Sequence, residues 1–204
     1  MSDDDHDHDH DPGTHHEYVD AGVEAHDDWA RRRRKGIPTD KQLLVVACMD
    51  ERIPVEEALG LDLGDAQIYR NAGGKVTDDV IRSAALTTQF FDTEEIIVVN
   101  HTDCGMMSAP DDAVVEGLEA AAGGRLDDVD LDPALPELNI GDAAVADWVR
   151  MTDDIDEACA AQVRYLEEHP LVDATVHGYV YEVESGTLRH PGGRIAEEIS
   201  TRVD

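Results

Sequence analysis

Three side chains in this sequence have the chemistry and spacing to hold a transition metal: Cys48, His101 and Cys104. Cys48 lies near the end of the apolar run LLVVACM (43–49), and His101 and Cys104 follow directly on a second run, EEIIVVN (94–100). Zinc prefers four tetrahedral ligands drawn from sulfur and nitrogen, and three protein ligands leave one position open, the arrangement of catalytic rather than structural zinc. Each residue alone has a plainer reading. Free cysteine is among the most buried residue types, and His-x-x-Cys arises by chance. The remaining cysteine, Cys159, lies in a helical apolar pattern with Ala158 and Val163 and reads as core. A nucleophilic Cys48 is a poor reading, because the phosphate loop of thiol phosphatases needs Cys-x5-Arg and Pro54 stands there.

The residues after Cys48 bear on the open position. In CMDER (48–52), the alternation of an extended segment would put Cys48, Asp50 and Arg52 on one side, with Met49 and Glu51 on the other. An unrestrained Asp beside a zinc ion would coordinate it and displace water. An Arg fork on both carboxylate oxygens would fix its direction and keep it ionised. Two residues from a thiol, this pair would place Asp50 at the open metal position; elsewhere it would read as a surface ion pair.

Cys-x-Asp-x-Arg at 48–52, RNAG at 70–73 and His-x-x-Cys-Gly at 101–105 together resemble the β-class carbonic anhydrases, in the compact archaeal and bacterial form. The likeness runs from about 43 to 107 and resumes in HGYVYEVESGTL (177–188). It implies zinc held by Cys48, His101 and Cys104, a catalytic Asp50–Arg52 pair, and reversible hydration of CO2 to bicarbonate and a proton. It also implies a homodimer or a higher even oligomer. Related proteins use the same zinc site to hydrolyse carbon disulfide or carbonyl sulfide, and a zinc-binding protein without activity is a third reading. The sequence departs from the family in Glu51, where Ser is common, and no Gln counterpart for substrate binding stands near Thr39. Two thiolates neutralise the metal's formal charge, so activity is expected to rise above neutral pH. The proton is expected to leave through solvent or a histidine, for which His177 and the N-terminal histidines are the candidates.

Strands alternating with helices must carry these residues. Strands are expected at 43–49, 66–69, 94–100, 174–183 and 187–190, the last two turning at Ser185–Gly186. Helices are expected at 54–59, 78–91 (capped by Thr77), 111–122, 142–151 and 153–169, with another after Pro191. This predicts an α/β fold, an open and mainly parallel central sheet flanked by helices, with ligands at the carboxyl ends of the strands. RNAGG is expected to line the pocket by close backbone packing, and it lacks the spacing and Lys of a phosphate loop.

The catalytic domain is expected at 37–204. Residues 1–16, acidic and His-rich, read as a solvated tail; 17–36 read as a helix whose sparse apolar face docks on a partner subunit, and 125–141 as an insertion. With 47 Asp+Glu against 16 Lys+Arg, the net charge of −31 opposes binding to nucleic acid or to an anionic membrane. It suits a halophilic cytoplasm, where molar salt shortens the screening length to about 3 Å. No apolar stretch approaches the roughly 20 residues of a membrane span, and the N-terminus lacks the basic and apolar regions of a secretory signal.

Overall fold

All six residues of β1 (Leu43–Cys48) are buried, as a strand covered on both faces requires. Alternation divides them. Leu43, Val45 and Ala47 face one apolar layer with Ile53, Val55 and Val99, while Leu44 and Val46 face the other with Val80, Ala84, Ile96, Val98 and Leu166. The computed structural model describes residues 41–195 apart from 109–110, 125, 127–128, 132–133, 135–144, 150, 152 and 193. The expected tail at 1–16, the docking helix at 17–36, Thr39 and most of the 125–141 segment lie outside the described residues.

After β1 come α1 (Val55–Ala58), β2 (Ala66–Asn71), a 3-10 turn at Ala72–Gly74, α2 (Asp78–Phe90) and β3 (Glu95–His101). Then follow α3 (Gly105–Ser108), α4 (Asp111–Ala121), α5 (Val145–Val149), α6 (Ile155–Glu167), β4 (Thr175–Glu182), β5 (Thr187–His190) and β6 (Arg194–Ile195). The strands form one sheet in the order β2-β1-β3-β4-β5-β6. The first four run parallel, and β5 and β6 add antiparallel. Helices α2 and α6 supply Val80, Ala84 and Leu166 to one face, while α1 supplies Val55 to the other. Asp154 caps α6 by accepting from the amides of Asp156 and Glu157. Thr77 occupies the corresponding position of α2 without a side-chain capping bond.

Two local expectations change. Arg194–Ile195, placed in a helix by the sequence pattern, instead pairs with β5 as a short strand. Asp50–Arg52 forms a turn and not an extended segment, closed by the Ile53 amide donating to the Asp50 carbonyl.

The chain passes from β1 outward to β2 and returns across β1 to β3, so the strand order reverses between β1 and β3. Open α/β sheets leave a crevice at such a point, beyond the carboxyl ends of the strands. The 3-10 turn packs beneath it. A Cβ on Gly74 would lie 2.8 Å from the Cys48 amide nitrogen and 2.9 Å from the Val99 carbonyl oxygen, and its φ is +60°. Both the backbone and the space there demand glycine. Gly74→Ala is therefore expected to lower stability by about 3 kcal/mol or more. Gly60→Ala, at φ +63° but with nothing within 4 Å, should cost only the backbone strain, about 1–2 kcal/mol. Urea unfolding of both variants checks this; equal losses would contradict it.

Candidate metal centre

Ala47 pairs with Val99, so Cys48 at the end of β1 and His101 at the end of β3 emerge at the same edge of the sheet. The loop after His101 turns back through Asp103, which adopts a left-handed φ of 57°, and brings Cys104 to the same place. Thr102 anchors this loop to β4: its amide donates to the Tyr181 carbonyl, and its hydroxyl accepts from the Val183 amide. The ligand atoms of Cys48, His101 and Cys104 all lie within 4.8 Å of one another, and all three residues are buried. Among the described residues this is the one such group of His, Cys, Asp and Glu.

The imidazole is oriented for coordination. Its Nδ1 lies 2.9 Å from the Thr102 carbonyl oxygen, which can only accept, so Nδ1 carries the proton. Nε2 then presents its lone pair towards the thiols and has no hydrogen-bond partner. A buried polar atom without a partner is costly, and a metal would satisfy it. A backbone carbonyl behind a ligating His is a common orienting partner. The two thiols also fit. Held against Cys104, and next to His101, the Cys48 thiol is pulled down to about 4 despite burial, while Cys104 is pushed up by the same contact. Two adjacent thiols do not both ionise easily, and a bound dication would favour both thiolates. The donor set is thus two sulfurs and one nitrogen, one short of the four ligands that zinc prefers.

Asp50 stands beside this cluster, its Oδ2 3.9 Å from His101 Nε2. Arg52 grips it with Nε on Oδ1 at 2.9 Å and Nη2 on Oδ2 at 2.8 Å. The Arg52 amide also donates to Oδ1, 2.9 Å away. These bonds, the guanidinium first, hold the Asp50 carboxyl well below the usual carboxylate range. The pair expected from sequence is therefore present, but a turn makes it. Met49 and Glu51 point to solvent.

Three supports were not read from the sequence. Arg52 also reaches Asp103, with Nη1 on Oδ2 at 2.7 Å and Nη2 on the carbonyl at 3.0 Å. Arg70, at the end of β2, holds the carbonyls of Cys48 at 2.9 Å and Asp50 at 2.5 Å. Asn100, wholly buried, donates to the Gly73 carbonyl and accepts from Gln162 of α6, which in turn accepts from the Val76 amide. RNAGG thus acts from beneath the site, through Arg70 and through Gly74 packed on Cys48. The acid between His101 and Cys104, and the Arg that opens RNAGG beside β1, were the available signals.

Cys159 is buried as core, its Sγ 3.6 Å from the Tyr179 carbonyl, and burial pushes its thiol up to about 12. His177 does not reach the site. It is level with Ile97, which is level with Val45, three residues short of Cys48, or about 10 Å along the strand. Its Nε2 lies 3.6 Å from Glu95 instead.

The sequence profile of the carbonic anhydrase family matches residues 43–188, which include all of these side chains. The chain belongs to the β-carbonic anhydrase family. Within it, a carbon disulfide hydrolase from Acidithiobacillus thiooxidans is 51% identical over 187 residues, covering 90% of this chain and 94% of that one. Beta-carbonic anhydrase 1 from Mycobacterium tuberculosis is 34% identical over 154 residues, covering 74% and 83%. A solved structure of carbon disulfide hydrolase in its apo form has a TM-score of 0.71 at 44% identity, covering 90% of this chain and 95% of that one.

For this β-carbonic anhydrase family member, Cys159→Ser should keep the zinc content of the purified protein. Cys104→Ser should hold less than about a fifth of it, since a lost thiolate leaves two protein ligands. Metal analysis checks both, and full zinc in Cys104→Ser would remove that residue from the donor set.

Proposed function

We propose that this chain is a zinc-dependent hydrolase of carbon disulfide and carbonyl sulfide, with the zinc held by Cys48, His101 and Cys104. The observation that carries the reading is the greater likeness to carbon disulfide hydrolases than to β-carbonic anhydrases, in identity and in coverage. It reverses the order in which the motifs alone place the two activities. Both substrates are linear and apolar with an electrophilic central carbon, and two waters complete the sequence: CS2 + H2O gives COS + H2S, then COS + H2O gives CO2 + H2S.

When bound, zinc supplies hydroxide near neutral pH by lowering the pKa of coordinated water. The remaining work falls to the chain's own residues. Asp50 Oδ2 accepts the hydrogen bond of the attacking oxygen and so aims its lone pair at the substrate carbon. Arg52 holds both oxygens of Asp50, which fixes that direction and keeps the carboxylate charged. Asp50 therefore stays ionised at every pH the enzyme meets in assays from about 5 upward, and it supplies no acid limb to the rate profile. Activity that rises above neutral pH reports the nucleophile. The thiols themselves sit in an apolar cluster with Ile53, Val55, Val99 and Tyr181.

Hydration of CO2 to bicarbonate is the second reading, favoured by the family profile and using the same attack. A zinc-binding protein without activity fits less well, because structural zinc requires neither Asp50 nor Arg52. The proposal includes a homodimer or a higher even oligomer, as the family resemblance implies, and a cytoplasmic setting, which the three free thiols suit. No helix of the described residues is long and apolar enough to cross a membrane. The charge of −31 suits a salt-rich environment.

The zinc-loaded chain is expected to show a higher kcat/KM for CS2 than for CO2 in one buffer, measured as sulfide release and as stopped-flow proton release. CO2 turnover with no sulfide release from CS2 would restore the second reading. Asp50→Asn should keep zinc yet lose about a hundredfold in kcat; unchanged turnover would remove Asp50 from the mechanism.

A further inference from the structure

Arg52 is only half covered, with its side chain 41% exposed, and Asp103 is 79% exposed. Packing therefore does little to hold the guanidinium in place. Hydrogen bonds must do so, and they come from two sides. Nε and Nη2 face Asp50, while Nη1 meets the Asp103 carboxylate and Nη2 its carbonyl. Asp103 can offer both oxygens because its backbone is left-handed, a conformation Asp tolerates better than most residues. One guanidinium thus ties the turn that follows Cys48 and carries Asp50 to the loop that follows His101 and carries Cys104.

The stakes lie in the spacing. Asp50 Oδ2 is already 3.9 Å from His101 Nε2, so a modest swing of the carboxylate would make it a ligand and close the open position. We propose that Asp103 is a positioning residue, which holds the far side of the Arg52 fork and so keeps Asp50 facing the open metal position instead of occupying it. This rests on the zinc-site reading above, and not on which substrate is turned over.

Cobalt-substituted protein with azide as the probe tests it directly. Azide should shift the visible cobalt bands of the wild type and of Asp103→Asn, which keeps an acceptor and suits the same backbone. In Asp103→Gly, which removes the anchor without backbone strain, azide should bind about tenfold more weakly. The kcat should fall about tenfold with KM within twofold, the scale of a misplaced catalytic group. Asp103→Ser serves as a second removal variant where Asp103→Gly does not fold. In an Asp50→Asn background, either removal should leave azide binding unchanged, since the competing carboxylate is gone. Wild-type azide affinity in both removal variants, or a loss that persists in the Asp50→Asn background, would overturn the proposal. Absence of turnover in the wild type would instead count against the function, and the cobalt spectra would still decide the role of Asp103.

Discussion

The parallel, in-register pairing of β1 with β3 sets Ala47 beside Val99, and where the candidate ligands meet follows from it. Cys48 and His101 leave the sheet at one edge because their strands run in the same direction and end together. A shift of one residue would turn every side chain of β1 to the opposite face, carrying Val45 and Ala47 out of one apolar layer and Leu44 and Val46 out of the other. The hydrophobic division of β1 thus helps fix where the candidate ligands meet. Gly74, with space for no side chain between the ends of these strands, closes the crevice from below.

Onto this frame the chain adds charge in a particular order. Two adjacent thiols in an apolar setting resist double ionisation, and an imidazole with its outer nitrogen on a carbonyl directs a bare lone pair at them. A dication resolves all three conditions at once. On the proposed reading Asp50 stays near that charge without joining the ligands, and its carboxylate is held by a bidentate Arg. Arg70 steadies the backbone of the same turn through the carbonyls of Cys48 and Asp50. In a chain so rich in acids, these two arginines are placed where an unpartnered carbonyl or carboxylate would otherwise be free to move.

Much of this could be read from the residues. A continuous apolar run at 43–49 and a shorter one at 96–99 marked buried parallel strands, and their ends marked the site, because periodicity and burial are local properties of the sequence. Cys159 was separable from Cys48 and Cys104 because its neighbours repeat at helical spacing. The Asp50–Arg52 pair was legible as a pair but not in its geometry, since a two-residue spacing fits a turn as well as an extended segment. Asp103 as a second partner of Arg52 was hidden by a separation of 51 positions along the chain, and the Asn100–Gln162 link by one of 62; only the fold brings such residues together. Substrate choice was the least legible, because CO2 and CS2 call for the same nucleophile and the same dyad.

A metal held here by two thiolates and one imidazole would leave its fourth position to solvent. X-ray absorption at the zinc edge of the purified protein measures this directly. Two sulfur scatterers are expected at about 2.3 Å and two nitrogen or oxygen scatterers at about 2.0–2.1 Å, one of them exchangeable with azide. A shell of three or more sulfurs, or one indifferent to azide, would contradict it.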